Sequence, residues 1–99
     1  MQLREIAHSR TGDKGNVVTI SLIAYRKEDF HLLEEAATAG RVTEHFAGII
    51  DRPVARYVLP HLAALNFVLH RPEGQSVTHS LALDAHGKCL GSALLTMEI

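Results

Sequence analysis

Arg10, Asp13 and Lys14 stand within five residues of one another, framed by Gly12 and Gly15, in the segment AHSRTGDKGN from Ala7 to Asn16. Two cations beside glycines are a chemistry-bearing set. Glycine lets the backbone turn back and approach a ligand closely, its amides can line an anion-binding concavity, and Arg10 and Lys14 supply the charge. The competing reading is purely structural, because Gly, Asp and Asn are the ordinary turn formers and Asp13 can cap backbone N–H groups. His8 and Asp13 flank the same stretch and form a second candidate set, a base and the acid that orients it. The alternative for His8 is a strand-end histidine bonded to a backbone carbonyl. The stretch is not a phosphate-binding Walker loop, which requires four residues between its first glycine and Gly-Lys and a helix after the lysine.

These residues must be positioned by their flanks. Leu3–Ala7 and Val17–Tyr25 both read as strands, so Ser9–Asn16 is expected to be a connection longer than a tight hairpin needs. Val18, Ile20, Leu22 and Ala24 alternate with Thr19, Ser21 and Ile23, giving a strand with one apolar face. The period then changes. Phe30, Leu33 and Ala37 recur at helical spacing within Lys27–Thr38, with Glu28, Asp29, Glu34 and Glu35 on the other side and acids near the N-terminus. Thr38–Gly40 breaks this helix, and a second follows with Val42, Phe46, Ile49 and Ile50 on one stripe.

Pro53 ends the second helix. Val54–Leu59 and Leu65–His70 read as strands around a turn at Pro60-His61. Arg71–Gln75 is a turn, Val77–Asp84 a strand that places His79 near Phe67, and Ala85–Lys88 a hairpin turn. Leu90–Ile99 is then a final strand, which makes Cys89 an ordinary thiol at a strand start rather than a nucleophile. Helices grouped in the middle favour α+β over a doubly wound sheet. The expectation is a mainly antiparallel sheet of about five to six strands with two helices on one face. The other face carries enough apolar residues, Leu90 and Leu94 among them, for a second copy or another chain to cover it, making the protein a homo-oligomer.

Composition narrows the function. A chain of 99 residues is one domain, 1–99, and 46% apolar with 21% charged residues is an ordinary globular balance. The net charge of −1, the absence of Trp and the absence of a basic tract argue against nucleic acid. No apolar stretch is long enough to span a bilayer. The charged N-terminus lacks a signal core, and one cysteine fits a reducing cytoplasm. Seven histidines are spread along the chain without a His-x-x-x-His pair, so no metal site or cofactor is expected. A metal shared by His8, His70 and Asp13 would require their strands to be neighbours. His70 and Asn66 share a strand face, where Asn66 either bridges a buried polar group or meets a ligand. Ser9, Thr11, Ser21 and Ser80 sit in no nucleophile elbow.

The segment AHSRTGDKGN with VVTISLIAY, then RVTEHFAGII, RYVLPHLAALNFVLH and LDAHGKCLGSALLTMEI, resembles the C-terminal domain of AtuA-like proteins of acyclic terpene utilisation. The family's loop pattern, R-S-G-D-K-G-N, is met by Arg10, Gly12, Asp13, Lys14, Gly15 and Asn16. Thr11 replaces the usual Ser and keeps its hydroxyl, and Thr19 stands where Asn is common. The resemblance covers nearly the whole chain. It implies a ferredoxin-like fold and an association with catabolism of branched or terpenoid acyl-CoA compounds. The larger domain to which the region is joined in AtuA-like proteins is not part of this sequence. Two functional expectations follow. One is an accessory or binding module that self-associates or docks on a larger AtuA-like or acyl-CoA-handling enzyme through Arg10–Asn16. The other is a minimal enzyme for an acyl-CoA or related anionic substrate, with Arg10 and Lys14 binding charge and His8 or Asp13 moving a proton.

Overall fold

The computed structural model describes residues 1–72 and 88–99. Leu3–Glu5 form one turn of 3-10 helix rather than a strand. The first strand, β1, runs from Ala7 to Lys14, straight through the expected connection. β2 follows at Val17–Ala24, leaving only Gly15 and Asn16 between them. Gly15 takes φ +65, the left-handed conformation that a two-residue hairpin turn requires at its first central position. The polar sequence of β1 is compatible with a strand because β1 is a sheet edge among the described residues. Its side chains alternate between faces, and an edge tolerates charge.

The helices are shorter than their apolar periods suggest. The second stops at His45, so Ile49 and Ile50 lie beyond it and Pro53 does not end it, because Gly48 at φ +91 cannot continue a helix. A 3-10 turn at Lys27–Asp29 leads into α1, Phe30–Ala36, and α2 spans Ala39–His45. Thr38 separates the two helices by capping the second, its hydroxyl accepting from the Arg41 amide at 3.2 Å. β3 is Ala55–Leu59 and β4 is Ala64–His70, joined through a 3-10 turn at Pro60–Leu62. The sheet order is β1-β2-β4-β3, and every neighbouring pair is antiparallel.

The C-terminal segment departs from the sequence expectation. Lys88–Leu95 is a helix, α3, so Cys89 lies in a first helical turn and not at the start of a strand. Leu90, Leu94 and Met97 are buried, and their spacing of four and three is helical. Leu90 and Leu94 therefore belong to the chain's own core and not to a face awaiting a partner. Four strands are present among the described residues, against the five to six expected. The turn beyond Pro72, the strand at 77–84 with His79 near Phe67, and the turn at 85–87 lie outside the described residues.

One side of the sheet makes the core. Val18, Ile20, Leu22, Leu65, Phe67 and Leu69 are fully buried there against Leu33, Val42, Phe46, Leu90 and Leu94 from the helices. Arg56 ties the layers together, donating to the carbonyls of Glu34 at 2.7 Å and Ala37 at 3.1 Å at the end of α1. The chain ends also meet, with the Leu3 amide donating to Met97 and the Ile99 amide to Met1.

Candidate functional site

Register decides which of the candidate residues meet. Directly opposed residues in an antiparallel sheet point to the same side. Ile20, Phe67 and Leu22 face the core, so the outer side carries the alternate set. It consists of three cross-strand rows, His8-Ile23-Ala64-Leu59, Arg10-Ser21-Asn66-Tyr57 and Gly12-Thr19-Val68-Ala55, and a shorter one, Lys14-Val17-His70. None of these fifteen positions is Asp or Glu. The outer side of the sheet thus holds Arg10, Lys14 and two histidines with no carboxylate among them. The acids Glu28, Asp29, Glu34 and Glu35 lie on the helical connection between β2 and β3.

Asp13 points to the other side. Its carboxylate accepts from Arg71 Nη2 at 2.9 Å, and the guanidinium is only 6% exposed. The same Nη2 donates to the Gly15 carbonyl at 2.8 Å. The Arg71 amide donates to the Asn16 carbonyl at 2.8 Å. Asp13, Gly15 and Asn16 are thus fastened to the chain just beyond β4, where a buried charge needs its partner. Gly12 has a steric reason as well, since an added Cβ would sit 2.8 Å from Thr19 Oγ1.

The base-and-acid pair expected from His8 and Asp13 does not form. The two residues are five apart along one strand, about 16 Å at the usual rise, and face opposite sides. His8 instead stacks on Tyr25, with ring centroids 5.1 Å apart. His8 and His70 lie at opposite ends of the sheet, so they do not converge with Asp13 on a metal. Among the described residues no three His, Cys, Asp or Glu side chains gather to hold an ion. Asn66 and His70 do share the outer face of β4, as their spacing requires.

The clearest concavity lies at the His8 end of this outer side. It has a volume of about 290 Å³ and is lined by His8, Arg10, Ser21, Ile23, Leu59, Leu62 and Ala64. Sequence reasoning found His8 and Arg10 but not the apolar floor. Leu59 and Leu62 flank Pro60, and their exposure at 38% and 66% emerges only when the β3–β4 turn is folded over the sheet. Beside this concavity Asn66 Oδ1 is buried and accepts no hydrogen bond among the described residues. A second, more polar depression of about 450 Å³ is lined by Ser9, Arg10, Thr11 and Ser92. It lies where α3 approaches β1 at Gly91, whose missing Cβ leaves room for the Ser9 and Thr11 hydroxyls. Arg10 lines both.

The whole chain, residues 1–99, matches the AtuA ferredoxin-like domain. The chain belongs to that family. Its α+β architecture, with an antiparallel sheet and helices packed on it, is the ferredoxin-like class that the motifs implied. No curated protein and no solved structure shows significant similarity to the chain. No helix among the described residues is long and apolar enough to cross a membrane.

Proposed function

We propose that this AtuA ferredoxin-like domain is a small accessory or binding module that engages an anionic ligand or partner through the outer side of its sheet. The observation that carries this reading is the charge segregation just described. Arg10 and Lys14 project from β1 onto a face that carries no carboxylate among the described strand residues, in a chain whose net charge is −1. An isolated basic face selects acidic groups by complementarity even when the whole molecule has little field. The family resemblance supports a setting in catabolism of acyl-CoA or terpenoid compounds, and the single cysteine supports the cytoplasm. A larger AtuA-like or acyl-CoA-handling enzyme, or a second copy of the chain, is the partner in that setting.

The rival, a minimal enzyme for an acyl-CoA or similar anion, would require His8 or Asp13 to move a proton. Asp13 is engaged by Arg71, and His8 stacks on Tyr25 with no carboxylate paired to it in the register. Binding is therefore the reading the geometry supports better.

A thermal-shift panel with free CoA, short and branched acyl-CoAs and nucleotides tests it, wild type beside Lys14→Ala. A ligand at about one hundred times its Kd adds roughly 2.7 kcal/mol, a rise of several degrees for a domain of this size. A shift with one ligand class that the substitution abolishes is the expected result. Silence with every ligand, together with a failure to capture an AtuA-like enzyme, removes the reading.

A further inference from the structure

The concavity at the His8 end of the sheet combines three properties. Its floor is aliphatic, built from Ile23, Leu59, Leu62 and Ala64. Its rim carries Arg10, an exposed guanidinium with no acid on the same face among the described residues. Its volume, about 290 Å³, is on the order of ten water volumes. Exposed apolar side chains rimmed by a few polar groups mark binding sites. A guanidinium offers the forked pair of donors that a carboxylate accepts in bidentate fashion.

We propose that this concavity is a binding site for a short, unbranched or branched aliphatic carboxylate. Arg10 holds the acid group at the rim, and the hydrocarbon lies against Ile23, Leu59 and Leu62. A volume of that order accommodates about ten non-hydrogen atoms, as in an eight-carbon acid. His8 stands in the cross-strand row of Ile23, Ala64 and Leu59 and so borders the aliphatic floor, stacked on Tyr25. An inorganic anion would leave the aliphatic floor exposed, and a neutral hydrocarbon would leave Arg10 without a partner. An amphiphilic acid matches both. This proposal rests on the reading of the outer face as an anion-binding surface, and it names the end of that face and the ligand chemistry.

The test is a titration of the ¹⁵N-labelled full chain with sodium octanoate, followed by amide chemical shifts. 1-Octanol is titrated as the tail without the acid, and acetate as the acid without the tail. Saturable shifts with octanoate at Ile23 and Ala64, with acetate and 1-octanol at least about tenfold weaker, are the expected pattern. Arg10→Gln should weaken octanoate about tenfold or more while leaving the spectrum folded, and Leu62→Ser should weaken octanoate but not acetate. Equal binding of octanol overturns the acid assignment, and unchanged octanoate affinity in Arg10→Gln overturns the placement. If octanoate produces no shift while free CoA still raises the melting temperature, this site falls and the broader anion-binding reading stands. If both are silent, both fall.

Discussion

At the scale of single residues, Asp13 and Lys14 are neighbours in one motif with different work to do. Asp13 accepts a charged hydrogen bond from a nearly buried Arg71, while Lys14 is exposed. Hydrogen bonds to charged groups contribute about 1.5–3 kcal/mol. Asp13→Ala is therefore expected to lower stability by about 1–3 kcal/mol, and Lys14→Ala by less than about 0.5 kcal/mol. Urea unfolding of both variants checks the contrast, and equal losses would refute it. Asn66 is a different case. Its buried, unpaired Oδ1 costs stability that an apolar side chain would not. Asn66→Leu should hold or raise the denaturation midpoint, and a loss above about 1 kcal/mol would show that the oxygen is satisfied in solution.

Asp51 offers a pH test at the same scale. The hydrogen bond from Arg52, first, outweighs the opposing desolvation and, with the charge of that guanidinium, lowers the Asp51 pKa from its ordinary 3.8. A depressed folded-state pKa gives stability that is present above the unfolded value and lost as pH falls through the folded one. The pair is exposed, so its effect is confined to acid and is small. Arg52→Ala should bring the Asp51 carboxyl back toward 3.8, read from its carbon shift in an NMR titration; an unmoved titration curve would exclude Arg52 as the cause.

At the scale of elements, α3 is seated on β1 by the absence of a side chain. A Cβ at Gly91 would collide with Thr11 Oγ1 and meet Ser9 Oγ at 3.0 Å. Glycine in a helix is itself unfavourable by about 1 kcal/mol, so its use here is explained by packing. Gly91→Ala should destabilise by about 1–3 kcal/mol despite the better helix propensity. Thr11→Ala added to it should recover part of that loss, a coupling of at least about 0.5 kcal/mol in a double-mutant cycle. Strict additivity would mean that the helix shifts to accommodate the methyl group. The same approach leaves the polar depression between Ser9, Thr11 and Ser92.

At the scale of the whole molecule, the sheet is a plate with unequal faces. Leu22 and Phe67 are fully buried on one side, whereas Ile23 on the other is only partly covered. Leu22→Ala should cost about 2–5 kcal/mol, a large share of the roughly 5–15 kcal/mol typical of a domain. Ile23→Ser should cost less than Leu22→Ala, because Ile23 keeps some contact with water. Calorimetry of the two variants measures the asymmetry, and a comparable loss at Ile23 would mean that something covers the outer face. Sedimentation equilibrium of the wild type would then separate a second copy from a different partner.

Much of this was legible from local chemistry. The alternation at Val18–Ala24, the three-and-four spacing from Phe30 to Phe46 and the punctuation at Pro60 identify elements because side-chain period and proline geometry act over a few residues, whereas the helix stops at His45, well before Pro53. The ordered motifs, from Arg10–Asn16 to the final segment, carried the family and the α+β class. Three things needed the tertiary structure. The Ala7–Asn16 stretch reads as a loop because its residues are polar, but pairing with β2 supplies the hydrogen bonds that make an edge strand of it. Leu90–Ile99 is ambiguous in a short apolar run, and packing of Leu90, Leu94 and Met97 on the core selects the helix. Finally, residue types alone group His8, Arg10, Asp13 and Lys14. The alternation of the strand sends Asp13 to Arg71 and the other three to the open face, since neighbouring side chains on a strand point opposite ways.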